Sequence, residues 1–198
     1  MSASSPPIER PAPGETRQPR RKDAERNRAA ILAAARELFS RGRDVPMYEI
    51  GRLAGVGQAT LYRHFPDRAA IVAAITREHV ERVEVAAAGD EGDQEPVLVV
   101  LAACAEMLVA IHDLLGILRE DVALAPILDG LRAGVHAALA RALARSAAPL
   151  RAGLDADDLM FVLKMVNGAL VGVSATAERR HAAQQALDIA VNGLRERG

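Results

Sequence analysis

The sequence predicts an all-α protein of two helical domains. Half of its 198 residues are apolar, with Ala, Leu, Val and Arg recurring throughout, and the alternation of β-branched and aromatic residues that marks half-buried strands is nearly absent. That length holds enough volume for one large core or two small ones. Charge is divided along the chain: residues 1–68 carry 13 Lys+Arg against 8 Asp+Glu, and residues 69–198 carry 12 against 18. The front end suits a polyanion and the back end does not.

Residues 1–22 hold five prolines among Ser, Gly and charged residues, too little apolar surface to offset chain ordering, and read as a disordered tail. The tail closes on the basic run "RQPRRK", which serves either solubility or contact with nucleic acid. Asp23 is placed to cap a helix. From Ala24 to Arg41, Ile31, Leu32, Ala35, Leu38 and Phe39 fall on one helical face, and Gly42 stops the pattern. A second helix starts near Pro46, whose fixed φ suits a first turn, and buries Ile50, Leu53 and Ala54 before Gly55. Gly57 opens a third, about Gln58 to Phe65, with Leu61 and Phe65 pointing inward. Pro66 ends it and Asp67 caps the next helix.

That next helix runs from about 68 to 88 and ends in the acidic stretch "GDEGDQEP". Residues 97–111, "VLVVLAACAEMLVAI", are apolar almost all round, which predicts an element covered on several sides. Shorter helical pieces lead to about 124, and a long amphipathic helix covers about 126–147. Pro149 and Gly153 break it, and Asp155 caps "ADDLMFVLKMVNGALVGVSA". A last helix, about 180–196, buries Leu187, Ala190, Val191 and Leu194. The single cysteine, Cys104, has no partner for an internal disulfide and reads as a buried, inert thiol. With no continuous apolar core in the first residues, and later apolar runs broken by Glu106, Lys164 and Asn167, the expected location is the cytoplasm, with no membrane partner.

The unit "IGRLAGVGQATLYRHFPDR", Ile50 to Arg68, directs five polar or aromatic side chains outward from a helix that buries two. Such a helix stabilises a core poorly and is suited to touching something. Helix, glycine turn and short exposed helix follow one another as in a helix-turn-helix, whose second helix enters the DNA major groove. Gln and Thr bond base edges, Arg grips guanine, and Tyr and His reach phosphate oxygens. The plainer alternative is a surface helix with solvated polar residues. The exposed Tyr62, the compact frame and the local positive charge together weigh against it.

"AAILAAARELFSRG" followed by "EIGRLAGVGQATLYRHFPDRAAIV" resembles the DNA-binding domain of the tetracycline-repressor (TetR) family of bacterial transcriptional regulators, over about residues 24–75. The resemblance implies an N-terminal three-helix reader at 23–68 and a C-terminal effector-binding and dimerisation bundle at 69–198. It further implies that Gln58, Ala59, Thr60 and Arg63 face bases while Tyr62, His64 and Arg68 lie along phosphates. Pro46 stands where the family often has Thr or Ser, so Met47 and Tyr48 replace that backbone contact. Gly57 stands where Ser or Thr is common, and Arg68 where Lys is usual. The implied partners are an operator duplex, a second copy of the chain and a small effector, with no cofactor and no metal.

Two expectations concern the C-terminal half. From Leu159 to Ala175 only Lys164, Asn167 and Ser174 interrupt an apolar run, more than one covered side requires. A dimer interface is therefore expected from Leu159, Leu163, Gly168 and Gly172 with Leu187, Val191 and Leu194, the two glycines allowing close helix approach. An apolar effector is expected against the buried helix, near Cys104, Met107, Leu108 and Ile111, with Phe161 and the polar anchors Glu106, His112, Arg119 and Asn167. Only one of the five aromatics, Phe161, lies beyond residue 68, so the walls are aliphatic rather than an aromatic cage. Taken singly, each of these residues reads more readily as ordinary core or surface.

An enzyme on the same bundle is the rival from another class, with His112, Asp113, Asp129, His136 and Cys104 as its candidates. His112 and Asp113 are adjacent and diverge on a helix, and the chain has no His-x-x-x-His pair. Nucleophile elbows and phosphate loops are likewise missing. A DNA-binding repressor is the reading the residues support, with an activator or ligand-independent regulator on the same fold as the alternative.

Overall fold

The computed structural model describes residues 17–41, 45–89, 95–146 and 153–194, and among them all regular structure is helical. The helices are α1 (Arg17–Arg41), α2 (Met47–Leu53), α3 (Gln58–His64), α4 (Arg68–Ala88), α5 (Pro96–Ala110), α6 (His112–Glu120), α7 (Ala125–Arg145), α8 (Ala156–Ala169) and α9 (Thr176–Leu194). A 3₁₀ turn, Val122–Leu124, precedes α7.

The front of α1 departs from the sequence expectation. Residues 17–22 form its first turns rather than the end of a disordered tail, and Asp23 sits inside the helix, bonded to Arg26 at 3.0 Å, instead of capping it. Apolar periodicity begins only at Ile31, so it cannot register an extension that carries pairs such as Arg21–Glu25 at 3.1 Å. Pro19 falls in the first turn, where no amide hydrogen is required. Residues 1–16, Gly42 and Pro149 lie outside the described residues.

Local chemistry places the remaining boundaries. Pro46 is the residue before α2 rather than its first turn, and α2 buries Ile50 and Gly51 while Leu53, expected inside, is 44% exposed. Gly55 takes φ +68°, a conformation costly for any side chain with a Cβ. The Asp67 carboxylate accepts the Ala70 amide at 2.8 Å and starts α4. Asp155 and Asp158 exchange backbone and side-chain bonds at 3.0 and 3.2 Å, a capping box that starts α8.

Helix α5 lies at the centre, packed against α4, α7, α8 and α9. Its residues Val97, Val100, Leu101 and Cys104 are fully buried, which is why that segment is apolar almost all round. The chain bends by 72° at Ile111 between α5 and α6. Helix α4 touches α1 on one side and α5 and α7 on the other, so the boundary expected at 68 falls at the start of a helix shared by both halves. Val122–Arg145 is long and apolar enough to cross a bilayer, but its Leu131, Val135, Ala138 and Leu139 are buried in this core.

Two contacts lock the bundle. A Cβ added at Gly134 on α7 would lie 2.6 Å from Val80 Cγ1 on α4, so the helices meet where only glycine fits. Arg179 on α9 donates to both carboxylate oxygens of Asp113 on α6 at 2.9 and 3.0 Å and to the Val173 carbonyl at 2.7 Å. That fork fastens the start of α9 to the start of α6.

Candidate nucleic-acid interface and internal cavity

Helix α3 is held by very few groups. Leu61, Phe65 and Ile50 are buried, and a Cβ at Gly51 would stand 3.2 Å from Leu61 Cδ2, so the α2 backbone lies close against the Leu61 side chain. Two guanidinium groups cover the aromatic rings beneath: Arg28 lies 5.0 Å from the Phe65 centroid and Arg68 lies 5.4 Å from that of Phe39. Gly57 starts α3 without a side-chain cap, its carbonyl accepting from Thr60 and Leu61 at 2.9 Å.

The outward face follows from this anchoring. Gln58, Ala59, Tyr62 and Arg63 are exposed and Thr60 is half-buried at the edge. Tyr62 is 50% exposed and Tyr48, on α2, 57%. Large aromatics left that open on a tightly packed frame lack an internal role. Met47 is half-buried and packs on the core, so its side chain is not displayed as Tyr48 is. His64 is half-buried as well, with Nε2 turned inside and no hydrogen-bond partner in the structure. Arg68 leans on Phe39.

In the C-terminal half, α5, α6, α7 and α8 enclose a cavity of about 280 Å³. Four of the expected residues line it: Met107, Leu108, Arg119 and Asn167. The others do not. Cys104 is fully buried one turn back along α5, and Ile111 lines a separate small cleft against α1 and α4. His112 stands beside the Arg179 fork, its pKa held below the ordinary value by burial and then by the Arg179 charge. Phe161 points away and is 60% exposed. A stripe drawn along one straight helix could not anticipate the bend at Ile111, which sends the following residues elsewhere.

The remaining walls come from Leu131 and Arg132 on α7 and from Met160, Leu163 and Lys164 on α8. Lys164 had a signal, being a charge inside an apolar run, whereas Arg132 had none. Leu163, expected at a dimer interface, is thus turned into this cavity. Leu159 and Leu187, expected beside it, are buried within the chain's own core and leave no surface for a partner. Gly172 lies beyond the end of α8 with φ +81°, so it shares no helical face with Gly168. The apolar run through residues 169–173 gave no sign of that stop. Exposed apolar side chains on the two last helices are instead Phe161, Met165 and Ile189.

Comparison with known proteins follows this geometry. Residues 31–75, which span the end of α1 through the first turns of α4, match the model for bacterial regulatory proteins of the tetR family. The HTH-type transcriptional regulator SAR0097 of Staphylococcus aureus is 35% identical over 83 residues, 39% of this chain and 44% of its own length. The chain thus spans under half of that curated relative. Whole-chain likeness comes from solved structures. The TetR transcription regulatory protein from Mycobacterium vanbaalenii is 30% identical with a TM-score of 0.64, over 90% of this chain and 100% of that one. The TetR regulator SCO0520 from Streptomyces coelicolor is 26% identical with a TM-score of 0.63, over 86% and 99%. These relatives are transcriptional regulators and not enzymes. A braced, outward-facing third helix, a helical bundle behind it and likeness along nearly the full length converge: the chain belongs to the TetR family of bacterial transcriptional regulators.

Proposed function

We propose that the protein is a cytoplasmic homodimeric repressor that binds a palindromic operator and is released by a small, largely apolar effector held in the α5–α8 cavity. The observation that carries this reading is α3, a helix with one buried residue that presents Gln58, Ala59, Tyr62 and Arg63 from a closely packed frame. In this reading Gln58, Ala59, Thr60 and Arg63 meet base edges, and Tyr62, His64 and Arg68 meet phosphates. Tyr48 and the backbone at Met47 approach the sugar-phosphate chain from the start of α2. Residues 23–68 act as the reader and residues 69–198 as the sensing and dimerising part, with α4 common to both.

The dimer forms through α8 and α9. Phe161 and Met165 are one helical turn apart and 60% and 47% exposed, Gly168 continues their stripe with open space around it, and Ile189 on α9 is 68% exposed. Val191 and Leu194 are half-buried beside it. Covering such a patch with its own copy removes apolar surface from water on both chains. A twofold axis there sets the recognition helices about 34–36 Å apart, or a multiple of one turn. Effector binding reaches α1 through α6, which lines the cavity with Leu115 and Arg119 and packs on α1 near its other end.

The test is titration of the full chain onto its own upstream DNA with mapping of the protected bases. Two symmetric half-sites support the reading. Protection of no sequence above bulk DNA, or a monomer by light scattering at the binding concentration, refutes it.

A further inference from the structure

We infer that the effector is an anionic amphiphile, an aliphatic carboxylate of medium chain length, which deepens the effector reading above and rests on it. Three cationic side chains from three different helices, Arg119 on α6, Arg132 on α7 and Lys164 on α8, border one cavity, and no carboxylate among the described residues lines it. This gathering occurs in a part of the chain with 12 Lys+Arg against 18 Asp+Glu, where pairing would be the ordinary outcome. Yet among the described residues neither Arg119 nor Lys164 has a carboxylate within 4.0 Å, and Arg132 has only the exposed Asp129 at 3.6 Å. All three cations are exposed, so they stand at the mouth, solvated, while the walls behind them are apolar. A cationic mouth over an apolar floor is complementary to a negative head and a hydrocarbon tail.

The walls specify the tail. Met107, Leu108, Leu115, Leu131 and Leu163 are aliphatic or thioether groups, with no aromatic ring among the lining residues. Such a surface has no flat face for stacking and moulds to a flexible chain. The volume of about 280 Å³ lies at the small end of ligand cavities, which limits chain length.

Calorimetry of the full chain with octanoate, 1-octanol and octylamine tests the class directly, without DNA. Octanoate should bind at least tenfold more tightly than octanol, and octylamine not measurably. Arg119→Gln and Lys164→Gln should each weaken octanoate roughly tenfold and leave octanol unchanged, which also shows that the cavity is intact. Octanol or octylamine binding as tightly as octanoate, no octanoate binding at millimolar concentration, or indifference to both substitutions overturns the class. Repeating the titration with operator DNA separates the two claims. Octanoate bound equally well with and without operator refutes the effector role and leaves the ligand class standing; release of DNA by octanol and octanoate alike refutes the class and leaves the effector role standing.

Discussion

Replacing Gly134 with alanine should destabilise the bundle, although alanine is the better helix former. The added Cβ would lie 2.6 Å from Val80 Cγ1, about 1 Å inside the separation at which two carbon atoms attract. Val80 is β-branched and sits in a helix, where one χ1 rotamer dominates, so it cannot swing aside without strain. The helices α4 and α7 must part instead, and overpacking of this kind costs about 1–3 kcal/mol. Against it stands the gain of about 0.8–1 kcal/mol in helix propensity. The net expectation is a loss of up to about 2 kcal/mol. Gly130, one turn earlier on α7, is the internal control: a Cβ there meets nothing within 4 Å, so Gly130→Ala should gain up to about 1 kcal/mol. Urea unfolding at fixed protein concentration reads both, since the proposed dimer would make stability concentration-dependent. Adding Val80→Ala to Gly134→Ala should recover part of the loss, a coupling that two independent sites do not show. If Gly134→Ala is as stable as Gly130→Ala, the close approach of α4 and α7 is wrong.

Arg179→Ala should cost about 1.5–3 kcal/mol by breaking charge-assisted bonds to Asp113, and Arg179→Lys should recover less than half because an ammonium cannot form the two-pronged contact; a lysine variant with the wild-type urea midpoint argues against it. His79 is buried and its pKa is pushed down to about 4, by burial first and then by the Arg82 and Arg36 charges. The unfolded chain therefore takes up a proton below about pH 6.5 that the folded chain refuses until about pH 4, and stability should fall across that window by up to about 3 kcal/mol. His79→Gln should remove that part of the slope, and an identical pH profile for the two proteins contradicts the assignment. Cys104 is fully buried, with its thiol pushed up to about 12 by burial, so a disulfide reagent should label it only at the rate of unfolding; fast labelling of native protein refutes its placement. On the operator, Thr60→Ala or Arg63→Ala should cost about 1–3 kcal/mol and relax sequence preference, while Tyr62→Phe should weaken all sequences alike in a gel-shift series. Unchanged affinity on removing Tyr62 and Arg63 together overturns the docking model.

Sequence by itself determined the parts governed by local rules. Helices α2 to α5 lie within a few residues of where Pro46, Gly55, Gly57, Asp67 and the apolar spacing put them, because caps, φ preferences and amphipathic faces act over one or two turns. The exposure of Gln58, Tyr62 and Arg63 on α3 was legible for the same reason, whereas Thr60 and His64, expected outward with them, are half-buried. Tertiary structure alone decided which apolar surfaces were already spoken for. Leu159, Leu163 and Phe161 look alike in a hydrophobic run, yet the first is in the core, the second on a cavity wall and the third 60% exposed. That difference depends on where neighbouring helices lie, and those are set by long-range packing such as the Gly134–Val80 approach and the bend at Ile111. The cavity has the same origin. Its walls come from four helices between residues 107 and 167, and no single segment carries the pattern of a space that exists only between them.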